Sequence, residues 1–338
     1  MARRGRVASR RAHSDGRRDD PRGRAPLPGG DPVLARGARG GRVNAFLAID
    51  LPALLAAVLA TVACGTLGNW LVLRKESMTA DAIAHAVLPG LVAGYLVSGS
   101  RSMGAMLAGA ALAGVASVLL SAAIRARTRL EAGAVLGVVF TAFFALGVVL
   151  LETQGARQID LDPSCVLFGS LETLFVAAPE GGSWLAGVPG EIWLLAAAAV
   201  LALAFHALLA KELAALAFDP LHARLSLRSP RALERALLAA TSAAIVASFA
   251  AVGSILVVAL VACPALIAAP HARSVGGQLS LGLALSIPLV GAAYFAAAHA
   301  PSLFGTATAL NAAGMIAVLL VAAVPASHGV ARVIRRLA

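Results

Sequence analysis

The chain is predicted to fold as an all-α, polytopic helical membrane protein with about eight or nine transmembrane helices. Three observations predict it: a mean hydropathy of +0.84, a charged fraction of only 13% in 338 residues, and a series of uncharged runs long enough to span hydrocarbon. A soluble domain carries about a quarter charged residues, and a chain this apolar has no way to shield its surface from water. The runs lie at 51–73, 102–124, 133–151, 192–210 and 236–270, followed by a charge-free stretch at 274–331. Each meets the roughly 18–20 residues a spanning helix needs. A barrel would instead show alternating segments of about ten residues, and none of these runs alternates.

In chain order, spans are predicted at about 51–73, 79–97, 103–124, 133–152, 192–210, 236–252, 254–270, 279–298 and 306–325. The stretch 236–270 is too long for one upright helix and short for two, and Gly253 and Pro264 supply break points. Eight full spans with a re-entrant half, or nine short ones, both fit it. Small residues at Gly104, Ala108 and Ala111 to Ala113 allow close helix approach, which says that the helices bundle.

Orientation follows from Lys and Arg in short loops, which stay on the cytoplasmic side. Arg74 and Lys75, then Arg125, Arg127 and Arg129, then Lys211, Arg224, Arg228, Arg231 and Arg235 fall on one side by parity. The connections 98–102 and 153–191 carry one arginine each, and the second holds Asp160, Asp162, Glu172 and Glu180; both are predicted outside. Arg332, Arg335 and Arg336 come out cytoplasmic if 236–270 crosses twice.

Residues 1–44 hold 12 of the 28 basic and 4 of the 17 acidic side chains, so most of the net charge of +11 sits there. Few apolar residues and no signal-peptide core predict a disordered, arginine-rich tail. Parity would put it outside, against the positive-inside rule. Either translation starts near Asn44, or a long tail escapes the rule. No nucleic-acid partner is expected. The organisation therefore reads as a tail at 1–44, a transmembrane domain at 45–327 with a cytoplasmic loop at 211–235, and a basic cytoplasmic tail at 328–338.

Chemistry points first to Asp81 and His85 in the segment TADAIAHAVLPG. The four-residue step puts both on one helix face, and a carboxylate in a bilayer costs a few kcal/mol or more, so it faces a cavity, a partner or an ion. A neutral imidazole nitrogen with an anionic oxygen suits Zn²⁺, Mn²⁺ or Fe²⁺. Two ligands fall short of a tetrahedral site, but two such helices on a two-fold axis would supply four. A capping Asp81 beside a packing His85 near a helix start fits the same pattern, and the pattern leaves both readings open.

A second feature is the stretch KELAALAFDPLHARLSLRSPRALER at 211–235: a short amphipathic helix around Leu213, Leu216 and Ala217, then a fresh helix start at Asp219-Pro220. Such a loop is either a docking surface for a soluble subunit or an ordinary solvated loop. His206, His271 and His299 read as interfacial or hydrogen-bonded histidines, and Cys64 and Cys263 as small hydrophobes. Three cysteines give no disulfide framework. No GxxxxGK[ST] loop and no HExxH occurs, which excludes ATP binding by that route and a zinc protease of that type.

Several blocks resemble the permease family of ABC importers for zinc, manganese and iron, from about residue 46 to 325. They are GTLGNWLVLRKESMTADAIAHAVLPG (65–90), LEAGAVLGVVFTAFFALGVVLL (130–151), IDLDPSCVLFGSL (159–171), KELAALAFDPLHAR (211–224) and AVGSILVVALVACPALIAAP (251–270). The arginine-rich tail has no counterpart there, and Cys263 stands where an aliphatic or small residue is usual. The resemblance implies an ABC importer permease fold in the bacterial inner membrane and no enzymatic activity in this chain. It also implies transport of a divalent transition metal, zinc or manganese before iron, with no permanently bound cofactor. Asp81 and His85 would be the transit-site ligands, and Phe218, Asp219 and Pro220 the ATPase-coupling residues. Implied partners are cytoplasmic ABC ATPase subunits, an extracytoplasmic metal-binding protein, membrane lipid and a second permease copy or paralogue. Against this stand an ion-coupled secondary transporter, which would show inverted repeats and more buried carboxylates, and a membrane enzyme, which would need a nucleophile or cofactor motif.

Overall fold

The computed structural model describes residues 50–99, 103–128, 130–152, 169, 171, 174, 187–303 and 310–337, all within one unit, Asn44–Ala338. The tail at 1–44, Cys165 and most of the segment 159–171 lie outside the described residues. In order, the helices are α1 (Leu51–Leu73), α2 (Met78–Ser98), α3 (Met103–Arg127), α4 (Ala132–Leu151), α5 (Gly190–Phe218), α6 (Pro220–Ser226), α7 (Pro230–Ala268), α8 (Val275–Leu303) and α9 (Ala312–Leu337). Among the described residues there is no strand, and every helix except α6 is long and apolar enough to cross a membrane.

Helices α1 and α7 form the centre, with 67% and 83% of their most apolar windows buried, against 22–33% for α3, α4, α5, α8 and α9. Inside lipid there is no hydrophobic drive to bring helices together, so contact depends on small residues that let backbones meet. Glycine supplies that closeness at the α2–α3 crossing, where a Cβ on Gly90 or on Gly109 would overlap the other's carbonyl oxygen. Gly68 does the same for α1, with its Cα against the Val261 carbonyl of α7.

The stretch 236–270 falls in α7 and its end, and the helix is broken at Gly253, whose backbone takes φ 77°, ψ 169°. That conformation is open essentially to glycine alone. Gly169, itself at φ 74°, lies so close that a Cβ on it would overlap the Gly253 amide nitrogen. Both ends of α7 lie towards the same side of the bundle. Glu234 at its start bonds Arg74, just past the end of α1, at 2.8 Å. Near its other end, Ala265 accepts from Gln278 in the first turn of α8, and the far half of α8 reaches the opposite end of α1 through Tyr294 and Asp50 at 3.0 Å. The chain thus runs up to Gly253 and back. Arg335 of α9 donates to the Pro270 carbonyl, which places the basic end of α9 on the side of Arg74, as the positive-inside count requires if 236–270 crosses twice.

Several spans differ from the lengths read from hydropathy, α5 and α9 among them. Helix α5 continues without interruption through Phe218, so the expected separate amphipathic helix at 211–218 is its last two turns. Lys211 and Glu212 do not stop it, because charged residues with good helix propensity are tolerated once the chain has left the hydrocarbon. Helix α9 begins at Ala312 and carries Arg332, Arg335 and Arg336 on its final turns.

The turn between α1 and α2 is tightly built. Glu76 N–H donates to Leu71 and Lys75 N–H to Val72, at 2.8 and 3.0 Å, with Lys75 in the left-handed region at φ 60°. This paired closure satisfies the last carbonyls of α1 and points Arg74 and Glu76 at each other.

Candidate functional site

Asp81 and His85 lie in the first two turns of α2, and in 79–90 they are the two residues that are not buried. Every neighbour on the helix packs inward, so the pair forms a polar face on an otherwise enclosed element. Asp81 Oδ1 and His85 Nε2 are 3.4 Å apart, with side chains 44% and 33% exposed. No side chain caps the start of α2, where Ser77 is the cap residue; the capping role open to Asp81 in the sequence is not the one it takes.

Helix α4 holds the imidazole. The Phe140 ring stacks on His85 at a centroid distance of 5.6 Å and 30°, and the Phe144 ring meets it edge-on at 5.9 Å and 83°. These two phenylalanines share the four-residue step of Asp81 and His85, so one helix face grips the other. Sequence reasoning passed over them as ordinary span residues. The signal was there in the matched i, i+4 spacing, but nothing in the sequence says which face of α4 turns to α2.

An aromatic clasp fixes ring orientation, and Nε2 faces Asp81. The result is one carboxylate and one imidazole, oriented and accessible, in the apolar stretch of a spanning helix. Among the described residues no group of three or more His, Cys, Asp or Glu converges. Within one chain the pair is therefore an open, incomplete donor set.

The remaining singled-out side chains are satisfied elsewhere. His206 Nδ1 accepts from Trp70 Nε1 at 3.1 Å. His271 Nε2 pairs with the Ser327 hydroxyl, His299 Nδ1 with the Phe295 carbonyl, and the buried Cys64 thiol with the Ser248 hydroxyl at 3.3 Å. Cys263 is buried in α7.

At the basic end of the bundle, Asp219 Oδ1 accepts from His222 N–H at 2.9 Å and caps α6, with Pro220 at its first position. This is the expected helix start. Ala223 faces inward with no exposure, whereas Phe218, Leu221 and Leu225 are 63%, 69% and 82% exposed. The end of α5 and the short, capped α6 thus present an exposed apolar edge. Close by, Arg74 bonds both Glu76 and Glu234, and Arg125 lies 3.9 Å from Glu76, tying the ends of α1, α3 and α7 together. Burial alone would lower the Arg74 pKa, but the hydrogen bonds and charges of Glu76 and Glu234 outweigh it and hold the guanidinium above its ordinary value.

Residues 48–324 match the ABC 3 transport family. The chain is similar to the manganese transport system membrane protein MntD of Bacillus subtilis, 35% identical over 61% of this chain and 69% of that protein. It is also similar to the zinc transport system membrane protein TroD of Treponema pallidum, 31% identical over 64% of this chain and 58% of that protein. With the chelated iron transport system membrane protein YfeD of Yersinia pestis it shares 30% identity, over 70% of this chain and 72% of that protein. The matched regions therefore span from a little over half to about seven-tenths of these relatives. In three dimensions the chain is similar to PsaBC from Streptococcus pneumoniae in complex with Fab, with a TM-score of 0.66 over 87% of this chain and 95% of that one at 22% identity, a likeness of fold.

Proposed function

Because this chain belongs to the ABC 3 transport family and is a multi-pass bacterial membrane protein, we propose that it is the membrane-spanning permease subunit of an ATP-driven importer for a divalent transition metal. The cargo is zinc or manganese before iron. The observation that carries the reading is the Asp81–His85 pair, the two accessible residues in a stretch of α2 where every other side chain is buried.

Two donors of mixed type can replace part of a metal's water shell without closing a cage around it. That suits a transit site, which must release its ion. A second permease copy or paralogue, meeting this one across a two-fold axis, would bring a second such pair and make four donors. An extracytoplasmic binding protein delivers the ion, and ATPase subunits seated on α6 supply the energy. ATP hydrolysis belongs to those subunits. Phe218 and Leu221 offer the apolar contact, and Asp219 and Pro220 set the start of the helix that presents it. Closure driven by ATP shifts the pathway from outward-open to inward-open and lets the ion go.

The test is replacement of Asp81 by Ala in cells that depend on this importer for zinc or manganese. Growth at low metal should stop, while the variant still assembles with its ATPase and stimulates ATP turnover. Normal metal uptake by the Asp81→Ala protein would overturn the assignment.

A further inference from the structure

A cavity of about 580 Å³ opens at the cytoplasmic ends of α3 and α7 beside α6, with Thr79 at the start of α2 also on its wall. Four arginines line it, Arg125, Arg224, Arg231 and Arg235, against two carboxylates, Glu76 and Glu234. Those carboxylates are already committed: Arg74 takes both, at 3.1 and 2.8 Å, and Glu76 also faces Arg125. Arg224, Arg231 and Arg235 are exposed and form no ion pair among the described residues. Three guanidiniums around one opening repel each other unless an anion joins them. The sign of the charge is wrong for the exit of a divalent cation and right for a phosphate.

The inner wall is of the opposite character. Val115 and Leu119 of α3, Leu136 of α4 and Leu238 of α7 line the part that runs towards the hydrocarbon. A soluble anion would gain nothing from that wall. A molecule with a phosphate at one end and an alkyl chain at the other would use both. The positive-inside count places the opening at the cytoplasmic leaflet, the depth at which phospholipid headgroups lie, and basic pockets between transmembrane helices there hold anionic headgroups. We propose that this cavity is a binding site for one anionic phospholipid, its phosphate held by Arg224, Arg231 and Arg235 and the start of one acyl chain laid along Val115, Leu119 and Leu136. Through Arg224 the lipid touches α6, so its occupancy sets how firmly that helix is held against the bundle.

The experiment uses the purified full-length chain, delipidated in neutral detergent and titrated with dioleoyl phosphatidylglycerol or dioleoyl phosphatidylcholine, with bound lipid counted by native mass spectrometry. Wild type should retain one phosphatidylglycerol in preference to phosphatidylcholine. The variant R231Q/R235Q, altered at two exposed positions of α7 and leaving α6 intact, should bind it at least about tenfold more weakly, since each arginine near a charged lipid contributes a severalfold factor. Leu119→Trp, which fills the apolar wall and touches no charge, should also weaken retention, whereas Arg336→Gln on α9 should not. Equal retention of the two lipids, an unchanged R231Q/R235Q, or displacement of the lipid by millimolar glycerol 3-phosphate with Leu119→Trp behaving as wild type would overturn the proposal, the last pointing to a free phosphate site. Loss of ATPase association by R231Q/R235Q with lipid retention unchanged would overturn it in favour of an acidic protein partner.

Discussion

Arg74, one residue past the end of α1, donates to Glu234 in the second turn of α7 at 2.8 Å, and its side chain is only 10% exposed. This contact joins the two most central helices at the basic end of the bundle. Hydrogen bonds between charged groups contribute roughly 1.5–3 kcal/mol when the pair is partly shielded from water. The Arg74→Gln and Glu234→Gln variants should each lower the thermal midpoint of the detergent-solubilised protein. The double variant should be less destabilised than the sum of the two, with a coupling of about 1 kcal/mol. Strict additivity would show that the pair contributes nothing beyond its separate surroundings.

Gly253 gives the second prediction. Its backbone sits at φ 77°, ψ 169°, and an alanine there carries strain of about 1–3 kcal/mol. Gly253→Ala should therefore unfold at a clearly lower temperature. Gly169→Ala should do the same, because its Cβ would overlap the Gly253 amide. Should Gly253→Ala melt like wild type, the reversal of α7 does not depend on this residue.

The spans were legible in the sequence because lipid demands length and apolarity, and both are one-dimensional properties. The break in α7 was legible as well, since too many uncharged residues with Gly253 inside them left few ways to cross. The ends of α5 and α9 were not, because a helix need not stop where the membrane does: Lys211 and Glu212 continue α5 as readily as leucines would. At the candidate site, Asp81 and His85 announced themselves by polarity. Phe140 and Phe144 did not, because phenylalanine in a span is ordinary, and only the packing of α2 on α4 gives these two a role. Arg74 and Glu234 lie 160 positions apart, a pairing that charge alone could not single out among the basic and acidic residues of the same side.

The aromatic clasp is testable apart from the proposed donors Asp81 and His85. Phe140→Leu and Phe144→Leu keep the apolar volume and remove the ring contacts with His85. Aromatic pairs contribute about 0.5–1.5 kcal/mol beyond burial, so each variant should raise the metal concentration for half-maximal uptake by roughly two- to tenfold while leaving maximal uptake near normal. The measurement is transport into proteoliposomes that contain the ATPase and the binding protein. A fall in maximal rate with unchanged concentration dependence would assign the phenylalanines to the moving parts and not to ligand orientation.

The exposed edge of α6 separates folding from coupling. Phe218, the last residue of α5, and Leu221 and Leu225 of α6 project outward at 63%, 69% and 82% exposure, while Ala223 of α6 is fully buried. Replacing the three outward residues by serine removes little internal packing, so stability should stay within about 0.5 kcal/mol of wild type, as for surface changes in general. Association with the ATPase should fall sharply, because apolar anchors of this kind carry most of the energy of an interface. Asp219→Ala is the complementary case. It removes the cap that holds α6, at a cost of about 1 kcal/mol to the helix, and should weaken association less than the triple serine variant does. Co-purification of the tagged permease with its ATPase, scored beside a thermal melt of the permease alone, checks both. Full retention of the ATPase by the triple serine variant would move the docking surface off α6.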